Sequence, residues 1–216
     1  DLEYEKTFWP FILISKKRYT GDKYEYNSDD CKRTSMGIVL KRRDNAPIVK
    51  YVFGNIIEKI MIERNFDETI IWLKHTLTRI RNGEFPLRYF VITKALRGNY
   101  KNPTAQPHKV LADRIAVRDP GNKPKVNDRI PFAYIKLRDD VLYDKNNPYK
   151  SGARKGKPRA RNILQGDRAE HVDFIRQNNL ALDYEFYITN QIMNPVKQVL
   201  DLKLDPLETE KIFITM

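Results

Sequence analysis

The apolar pattern of the chain changes near residue 47, and this change constrains the fold more than any other feature. Before it, residues 8–15 (FWPFILIS) form a short aromatic and β-branched run that predicts a strand, and an extended pattern resumes at Lys23 after a turn at residues 20–22. After it, apolar residues recur at helical spacing over residues 47–65, behind a proline that suits a helix start. The sequence therefore predicts an α+β fold, in which a small β-hairpin or sheet precedes a mainly helical region with a few strands.

The same pattern predicts further elements in the second part of the chain. The additional predicted helices are residues 67–83, capped by Asp67 and stopped by Gly83, then residues 107–118 and residues 183–202, the last with a kink at Pro195. The additional predicted strands are residues 88–93 and 130–137.

Residues 143–166 have almost no apolar periodicity and are rich in Lys, Arg, Gly, Asn and Pro. This composition predicts a long flexible loop, more typical of a solvated tether than of a specific site. Its cationic members are Lys145, Lys150, Arg154, Lys155, Lys157, Arg159 and Arg161. Each phosphate that they neutralised would strengthen binding through the release of counterions.

The chain carries a large excess of positive charge. Forty Lys and Arg stand against twenty-eight Asp and Glu, which gives a net charge of +12. This imbalance indicates a phosphate-rich partner or an anionic membrane surface. The sequence has no apolar run of about 18 residues, which a membrane-spanning helix needs, and no secretory leader pattern. We therefore expect an intracellular protein that does not insert into a membrane.

The sequence offers no residues arranged for catalysis or metal binding. Cys31 is the single cysteine, and His75, His108 and His171 are too scattered for a histidine-based metal site. The acidic pairs at residues 29–30 and 139–140 lie in polar stretches, which is typical of solvated turns. Catalytic and metal sites are therefore predicted to be absent from this chain.

Two short clusters combine basic residues in a way that suits nucleic acid. Residues 16–19 (KKRY) follow the first strand and supply several donors with one flat amphipathic ring, a set suited to phosphate oxygens and a minor-groove edge. Residues 41–44 (KRRD) precede the first helix, and Asp44 is placed to orient an arginine fork towards a phosphate. For both clusters the alternative is an exposed hairpin end or loop without a partner.

Several sequence segments, which occur in order along nearly the whole chain, resemble those of a known family. They are LEYEKTFWPFILISKKRYTG at residues 2–21, MGIVLKRRDN at 36–45, ITKAL at 92–96, QPHKVLADRIAVRDPG at 106–121, DRIPFAYI at 128–135, GDRAEHVDFI at 166–175 and LDYEFYITNQIMNPVKQVL at 182–200. Together they resemble DNA polymerase family B, particularly polymerase delta and its relatives in large DNA viruses.

The resemblance implies a division of the chain and a function. Residues 1–50 correspond to the end of the palm with its KKRY hairpin, and residues 51–216 to the thumb, including the basic loop at 143–166. The implied function is to grip primer–template duplex DNA within a DNA-directed DNA polymerase, a nucleotidyltransferase of DNA replication. The family's catalytic aspartates, fingers lysine and proofreading exonuclease would lie upstream of Asp1, so this chain alone is expected to be inactive. No cofactor is expected here, and magnesium is expected in the intact polymerase.

The resemblance also assigns residues to DNA contact. Lys16, Lys17, Arg18 and Tyr19 match the motif that touches the primer-terminal duplex from the minor-groove side. Lys41, Arg42 and Arg43 match residues near the primer backbone, and Lys94, His108, Lys109 and Arg114 are thumb candidates for phosphate contact. The remaining expected partners are the rest of the polymerase (palm, fingers and exonuclease) and a sliding clamp. For the clamp, Gln177 and Leu180 have suitable spacing, but Asp183 occupies a position that requires an aromatic residue.

Some features depart from the family pattern and leave alternatives. The cysteine-rich module that follows the thumb in polymerase delta has no counterpart after Leu202, and residues 143–161 do not align with the family. Because the sequence begins at Asp1, we expect a part that was cut out of a longer polypeptide or matured from one. Alternatives are a separate small subunit of a split polymerase, a non-catalytic basic DNA-binding protein, and a basic protein for RNA or anionic membranes. The expected location is the nucleus or a cytoplasmic site of viral replication.

Overall fold

The structure is a computed structural model of the chain, and it describes residues 3–25, 30–41 and 45–214. It confirms the predicted α+β class. The strands are β1 (Thr7–Ser15), β2 (Arg18–Tyr24), β3 (Cys31–Met36), β4 (Ile92–Ala95), β5 (Arg129–Tyr134), β6 (Tyr143–Asp144), β7 (Arg159–Ala160) and β8 (Ala169–His171). The helices are α1 (Pro47–Glu58), α2 (Phe66–Arg81), α3 (Pro107–Arg118), α4 (Asp139–Leu142), α5 (Gln165–Arg168), α6 (Val172–Gln177), α7 (Tyr184–Tyr187), α8 (Met193–Leu200) and α9 (Pro206–Phe213).

The chain divides into two compact units. The first unit combines Asp1–Tyr89 with Tyr184–Met216, and the second unit is the continuous segment Phe90–Asp183. The predicted boundary at residue 50 separates palm from thumb by correspondence with the family, and that assignment stays a prediction. The compact units have other bounds, because the last helices of the chain pack with its first half.

The first unit opens with a three-stranded antiparallel sheet in the order β1-β2-β3. The predicted turn at residues 20–22 is wrong, because those residues lie in the middle of β2, where all three pair with β3 and Thr20 and Gly21 also pair with β1. The chain instead reverses between Ser15 and Arg18, which pair across the turn. Thr20 is fully buried in β2, and its hydroxyl is satisfied by a hydrogen bond to Ser35 Oγ at 2.8 Å.

The apolar stripe predicted over residues 47–65 forms the core of the first unit. Pro47 occupies the first turn of α1, and the helix continues as a π-helical segment over Lys59–Glu63 that ends at Arg64 with φ +52°. The predicted cap of the next helix is corrected by two residues, because Asn65 Oδ1 accepts the backbone N–H of Glu68 at 3.1 Å.

The last helices complete this core. The predicted helix over residues 183–202 is α7, a π-helical segment over Ile188–Ile192, and α8, so the irregular turn precedes Pro195. The sequence analysis missed α9, which begins at an Asp205 cap followed by a proline. Fully buried side chains of α7, α8 and α9 include Tyr187, Val196, Leu200 and Phe213. Burial of such apolar side chains is the main favourable term in folding.

The second unit holds an antiparallel sheet in the order β4-β5-β8. The strand predicted at residues 88–93 begins later, at Ile92, because Leu87–Tyr89 forms a 3-10 turn. The strand predicted at 130–137 is β5, and α3 has the predicted bounds. Strand β8 was not predicted, since three residues carry too short a pattern to read.

Residues 143–166 contain short regular elements within the predicted loop. Strands β6 and β7 pair with each other near the two ends of the segment, and α5 closes it. The rest contains turns and irregular backbone. The flexibility of this loop stays a prediction.

Candidate nucleic-acid interface

The basic cluster at residues 16–19 forms the turn between β1 and β2. Lys16 and Lys17 occupy the turn itself and are exposed, whereas Arg18 and Tyr19 begin β2 and are half-buried. Lys17 has φ +63°, a conformation that non-glycine residues rarely adopt. The turn therefore presents two ammonium groups to solvent from a tightly defined backbone.

Gly37 fixes the backbone of this turn from the side of β3. Its φ is +63°, and a Cβ atom built on it would lie 2.2 Å from the carbonyl oxygen of Lys17 and 3.1 Å from Cγ of Arg18. A side chain at this position would therefore collide with the turn, so the close approach requires glycine.

The other two members of the cluster are held by neighbours within the first unit. The guanidinium of Arg18 donates a hydrogen bond to Oε1 of Gln198 in α8. The ring of Tyr19 lies 5.7 Å from that of Phe8 and 5.5 Å from that of Phe11, measured between centroids. Aromatic packing thus orients Tyr19, and the hydrogen bond to Gln198 orients Arg18, relative to the exposed lysines.

The second predicted basic cluster lies largely beyond what the structure describes. Arg42 and Arg43 fall outside the described residues, and of Lys41 the structure gives only the backbone, at the end of the 3-10 turn Val39–Lys41. Their contact with the primer backbone stays a prediction.

Lys94 and His108 lie in the second unit, on β4 and at the start of α3. Lys94 is half-buried, and His108 is only 4% exposed. The Tyr100 hydroxyl accepts the backbone N–H of Arg97 at 2.7 Å and shares a second hydrogen bond with Nε2 of His108 at 3.0 Å. Burial, with the charges of Lys94 and Arg97, lowers the pKa of His108. His108 is therefore a buried side chain in a packed site that disfavours its charged form.

Lys109 and Arg114, also on α3, already have partners. Lys109 forms an ion pair with Asp113. The guanidinium of Arg114 donates to the carbonyl oxygens of Gly166, at 2.9 Å, and of Ala169, and burial lowers its pKa. Arg114 thus ties α3 to α5 and β8, a structural role that the sequence analysis did not foresee. The predicted phosphate contacts of both residues remain untested.

The structure adds two residues to the candidate interface. Gly37 and Gln198 support the turn at residues 16–19, and neither was singled out for this role from the sequence. The residue type alone was the available signal for the first, since glycine readily adopts positive φ. Gln198 gave none, because it lies 180 residues away from Arg18 in the chain.

The residues that the structure describes hold neither a metal-ligand cluster nor a membrane-spanning helix. Over residues 3–25, 30–41 and 45–214, His, Cys, Asp and Glu form no group of three or more that is suited to a metal ion. Within the same residues, every helix is too short or too polar to cross a bilayer. Asp139 and Asp140 are exposed at the start of α4, as predicted for a solvated pair, and Asp29 lies outside the described residues.

Comparison with known proteins identifies the family. A profile of DNA polymerase family B matches residues 1–203. The DNA polymerase of Acanthamoeba polyphaga mimivirus is 48% identical over 210 residues, which are 97% of this chain and 11% of the viral protein. The DNA polymerase delta catalytic subunit of Caenorhabditis elegans is 31% identical over 205 residues, which are 93% of this chain and 17% of that subunit. The chain therefore belongs to DNA polymerase family B.

The fold agrees with this assignment. The structure of the family B DNA polymerase from the hyperthermophilic archaeon Pyrobaculum calidifontis superposes with a TM-score of 0.60 at 16% sequence identity. The match covers 89% of this chain and 21% of the archaeal one. The chain thus spans between 11% and 21% of the length of these three proteins.

Proposed function

We propose that this chain is the palm-end and thumb portion of a DNA-directed DNA polymerase, and that it grips the primer–template duplex while the rest of the enzyme extends the primer. The proposal rests on membership of the family and on named DNA polymerases among the relatives. On this account the chain has no catalytic step of its own. It acts inside the cell, in the nucleus or at a cytoplasmic site of viral replication.

The observation that carries the proposal is the turn at residues 16–19. Lys16 and Lys17 are exposed, while Gly37 and Gln198 hold the backbone and the neighbouring Arg18 in place. Two cations on a constrained turn bind a phosphate backbone at a lower entropic cost than the same cations on a free loop.

A contact from the minor-groove side suits such a turn. The acceptors N3 of purines and O2 of pyrimidines are shared by the base pairs there, so one donor reads correct pairing without reading sequence. Tyr19, held against Phe8 and Phe11, supplies a flat ring with a polar tip beside the two lysines. A mismatch displaces those acceptors and weakens the contact.

The residues assigned in the second unit enter the proposal differently. Lys94 and Lys109 are half-buried cations that contribute to phosphate contact, Lys109 after leaving Asp113. His108 and Arg114 support the site from within, because their polar atoms are buried or bonded to protein groups. In the proposal, Lys41, Arg42 and Arg43 remain contacts to the primer backbone.

Exposed apolar side chains on β1 support the rest of the polymerase as a partner. Trp9, Phe11 and Leu13 are 62%, 42% and 54% exposed on this edge strand. Clustered exposed apolar side chains are typical of a surface that another protein part covers. The magnesium of the intact enzyme has no candidate ligands among the described residues of this chain, so its ligands are assigned to that remaining part.

The clamp partner has little support within the structure. Of the three residues that bear on the motif, Asp183 forms an ion pair with Arg168, and Leu180 is half-buried. The clamp therefore stays an expectation for the intact polymerase.

The test removes the charge of the turn. The variant Lys16→Ala with Lys17→Ala is compared with Lys74→Ala with Lys211→Ala, which removes the same charge from exposed sites on α2 and α9 of the same unit. Affinity for a fluorescent primer–template junction is measured over a salt series. Each lost phosphate contact lowers the slope of log K against log salt by about 0.9, so the turn variant is expected to lose nearly two units.

The control variant is expected to keep the wild-type slope. Tyr19→Phe, which retains the ring, separates the role of the hydroxyl from that of the aromatic cluster. Equal slopes for the turn variant and its control would remove the turn from the interface.

A further inference from the structure

Residues 143–161 form a folded excursion of the second unit, and we call this segment the basic hairpin. Its base is the antiparallel pair of β6 and β7, in which Tyr143 lies opposite Ala160 and Asp144 opposite Arg159. The backbone N–H of Arg161 donates to the carbonyl oxygen of Leu142 at 2.9 Å and extends this base by one step. The two ends of the segment are therefore fixed next to each other.

Backbone hydrogen bonds also cross the hairpin nearer its tip. The N–H of Tyr149 donates to the carbonyl oxygen of Lys157, and the N–H of Gly156 donates to the carbonyl oxygen of Tyr149, both at 3.0 Å. Gly152 and Gly156 have φ of +77° and +81°, which suits the tight reversals of this region. The tip thus returns on itself rather than running as an extended tether.

The basic hairpin concentrates the charge of the whole protein. It carries seven cationic side chains and one carboxylate, a net charge of +6, which is half of the +12 of the chain. All seven cations are exposed. Those seven are Lys145, Lys150, Arg154, Lys155, Lys157, Arg159 and Arg161.

The hairpin cations lack the partners that other cations of this unit have. Lys109, Arg118 and Arg168 each form an ion pair with a carboxylate. Across the residues that the structure describes, no carboxylate lies within ion-pair distance of any of the seven hairpin cations. Like charges crowded on one short segment repel one another, so this arrangement is relieved by an external polyanion.

One aromatic ring organises two of the arginines. Tyr149 is the half-buried residue of the hairpin tip, and the guanidinium groups of Arg154 and Arg159 lie 6.0 Å and 5.3 Å from its ring centroid. Both distances are those of cation–π contacts. The ring thus contacts one arginine of the tip and one of β7, and it holds the two guanidinium groups close to each other.

The composition of the hairpin selects among polyanions. It contains no Leu, Ile, Val, Phe or Trp, so it has no apolar face to insert between lipid acyl chains. Duplex DNA presents about one negative charge per 1.7 Å of its axis, a density that matches a compact cluster of cations. Lys and Arg side chains supply many of the contacts that proteins make to phosphate oxygens, and such contacts fix position without reading sequence.

We propose that the basic hairpin is a second binding site of this protein for the phosphate backbone of duplex DNA, independent of base sequence and built from residues other than the Lys16–Tyr19 turn. This inference rests on the proposed function, since it takes duplex DNA as the partner. The hairpin adds affinity and salt dependence, and the turn at residues 16–19 supplies the preference for a primer terminus.

The test uses the 216-residue protein and two variants that each remove three lysines from the second unit. The hairpin variant is Lys150→Ser, Lys155→Ser and Lys157→Ser, which leaves Tyr149 and its two arginines in place. The control variant is Lys101→Ser, Lys123→Ser and Lys125→Ser, at exposed positions outside the hairpin. Fluorescence anisotropy measures binding to a blunt duplex of random sequence over a salt series.

The hairpin variant is expected to lose about two to three units of salt slope, and roughly eightfold in affinity at 0.1 M salt for each contact removed. The control is expected to lose less than one unit. Replacing the same three hairpin lysines with arginine keeps the charge and is expected to keep the slope. Circular dichroism of all variants verifies that the fold is retained.

Three outcomes overturn the inference in distinguishable ways. If the hairpin and control variants lose equal slope, net charge alone accounts for binding, and the proposed function survives when the Lys16→Ala, Lys17→Ala variant loses junction affinity. If the hairpin variant keeps its DNA slope but loses binding to phosphatidylserine vesicles, the partner is a membrane surface. If the wild-type protein binds no DNA, the proposed function and this inference fail together.

Discussion

Single residues decide how precisely the candidate interface is built. Gly37 is the clearest example, because its own φ and the carbonyl oxygen of Lys17 each exclude a side chain. Lys17 itself takes a positive φ at the centre of the turn. The two unusual conformations face each other, so the shape of the turn depends on both.

Replacing Gly37 with alanine is expected to shift the turn and lower the free energy of unfolding by about 1–3 kcal/mol, because the new Cβ strains the backbone and meets the Lys17 carbonyl. The matched control is Gly54→Ala in α1, where a Cβ would meet only Leu40 Cδ2 at 3.5 Å. That change is expected to stabilise the helix by about 0.5–1 kcal/mol. Urea unfolding of both variants measures the difference, and a Gly37→Ala variant as stable as the wild type would contradict this account of the turn.

His108 predicts a pH dependence of stability. Burial and the charges of Lys94 and Arg97 place its pKa in the folded protein below the ordinary value of 6.5. The unfolded chain then binds more protons between the two pKa values, so stability falls as the pH drops through about 6.5 and the loss is complete below the folded-state pKa. Unfolding free energies measured between about pH 5 and pH 8 are expected to show this slope in the wild type.

The slope is expected to diminish in His108→Gln and to persist in His75→Gln, which alters an exposed residue of α2. The comparison uses the slope rather than the absolute stability, because His108→Gln also loses the bond to Tyr100. An unchanged slope in His108→Gln would assign the pH dependence to other groups.

At the scale of elements, a charge-assisted pair of hydrogen bonds connects a helix to a strand in the second unit. The guanidinium of Arg118, at the end of α3, donates to both carboxylate oxygens of Glu170 in β8 at 3.0 Å and 2.8 Å. The Glu170 side chain is 3% exposed, and the ring of Phe174 lies 4.1 Å from the guanidinium carbon. The pair joins α3, β8 and α6 at one point.

Arg118→Ala is expected to cost about 2–4 kcal/mol, because it leaves a buried carboxylate without its partner, and the exposure of Arg118 places the loss below that of a fully buried pair. The control, Arg138→Ala, breaks an exposed pair with Asp140 and is expected to change stability by less than about 0.5 kcal/mol. Adding Glu170→Gln to Arg118→Ala is expected to recover part of the loss. Thermal unfolding measures all three, and equal effects of the two alanine variants would sink this interpretation.

Elements with a strong local signal were predictable from the sequence. Helix α3 has the predicted bounds because Pro107 starts it and Asp119-Pro120 ends it, and α1 follows its apolar stripe from Pro47. Strands β6, β7 and β8 were not predictable, since two or three residues carry no periodicity and their pairing depends on distant partners. The turn of the first hairpin was misplaced because Gly21 reads locally as a turn residue, whereas it lies inside β2 against Phe11.

The candidate interface likewise has parts that could be predicted from the sequence and parts that could not. The KKRY motif at residues 16–19 could be recognised from its residue types and from its resemblance to the family. Its support by Gln198, and the bonds of Arg114 to the backbone of Gly166 and Ala169, depend on contacts between segments far apart in the chain. Such contacts are fixed only by tertiary packing.

At the scale of the whole molecule, the two units differ in the surfaces that they present. The first unit, which includes the last helices of the chain, bears the constrained turn and the exposed apolar side chains of β1. The second unit bears the basic hairpin, with half of the net charge on a short segment. Under the two proposals, the first unit sets the position along the DNA, and the second unit supplies a large share of the electrostatic affinity.

The central claim is that this protein grips duplex DNA and prefers a primer terminus. The most direct measurement compares its binding to a fluorescent primer–template junction and to a blunt duplex of equal length over a salt series. The account predicts tighter binding to the junction and, for both ligands, a steep slope worth several phosphate contacts at about 0.9 each. Equal affinity for the two ligands would contradict the claim and leave a basic surface without a preference for the primer terminus.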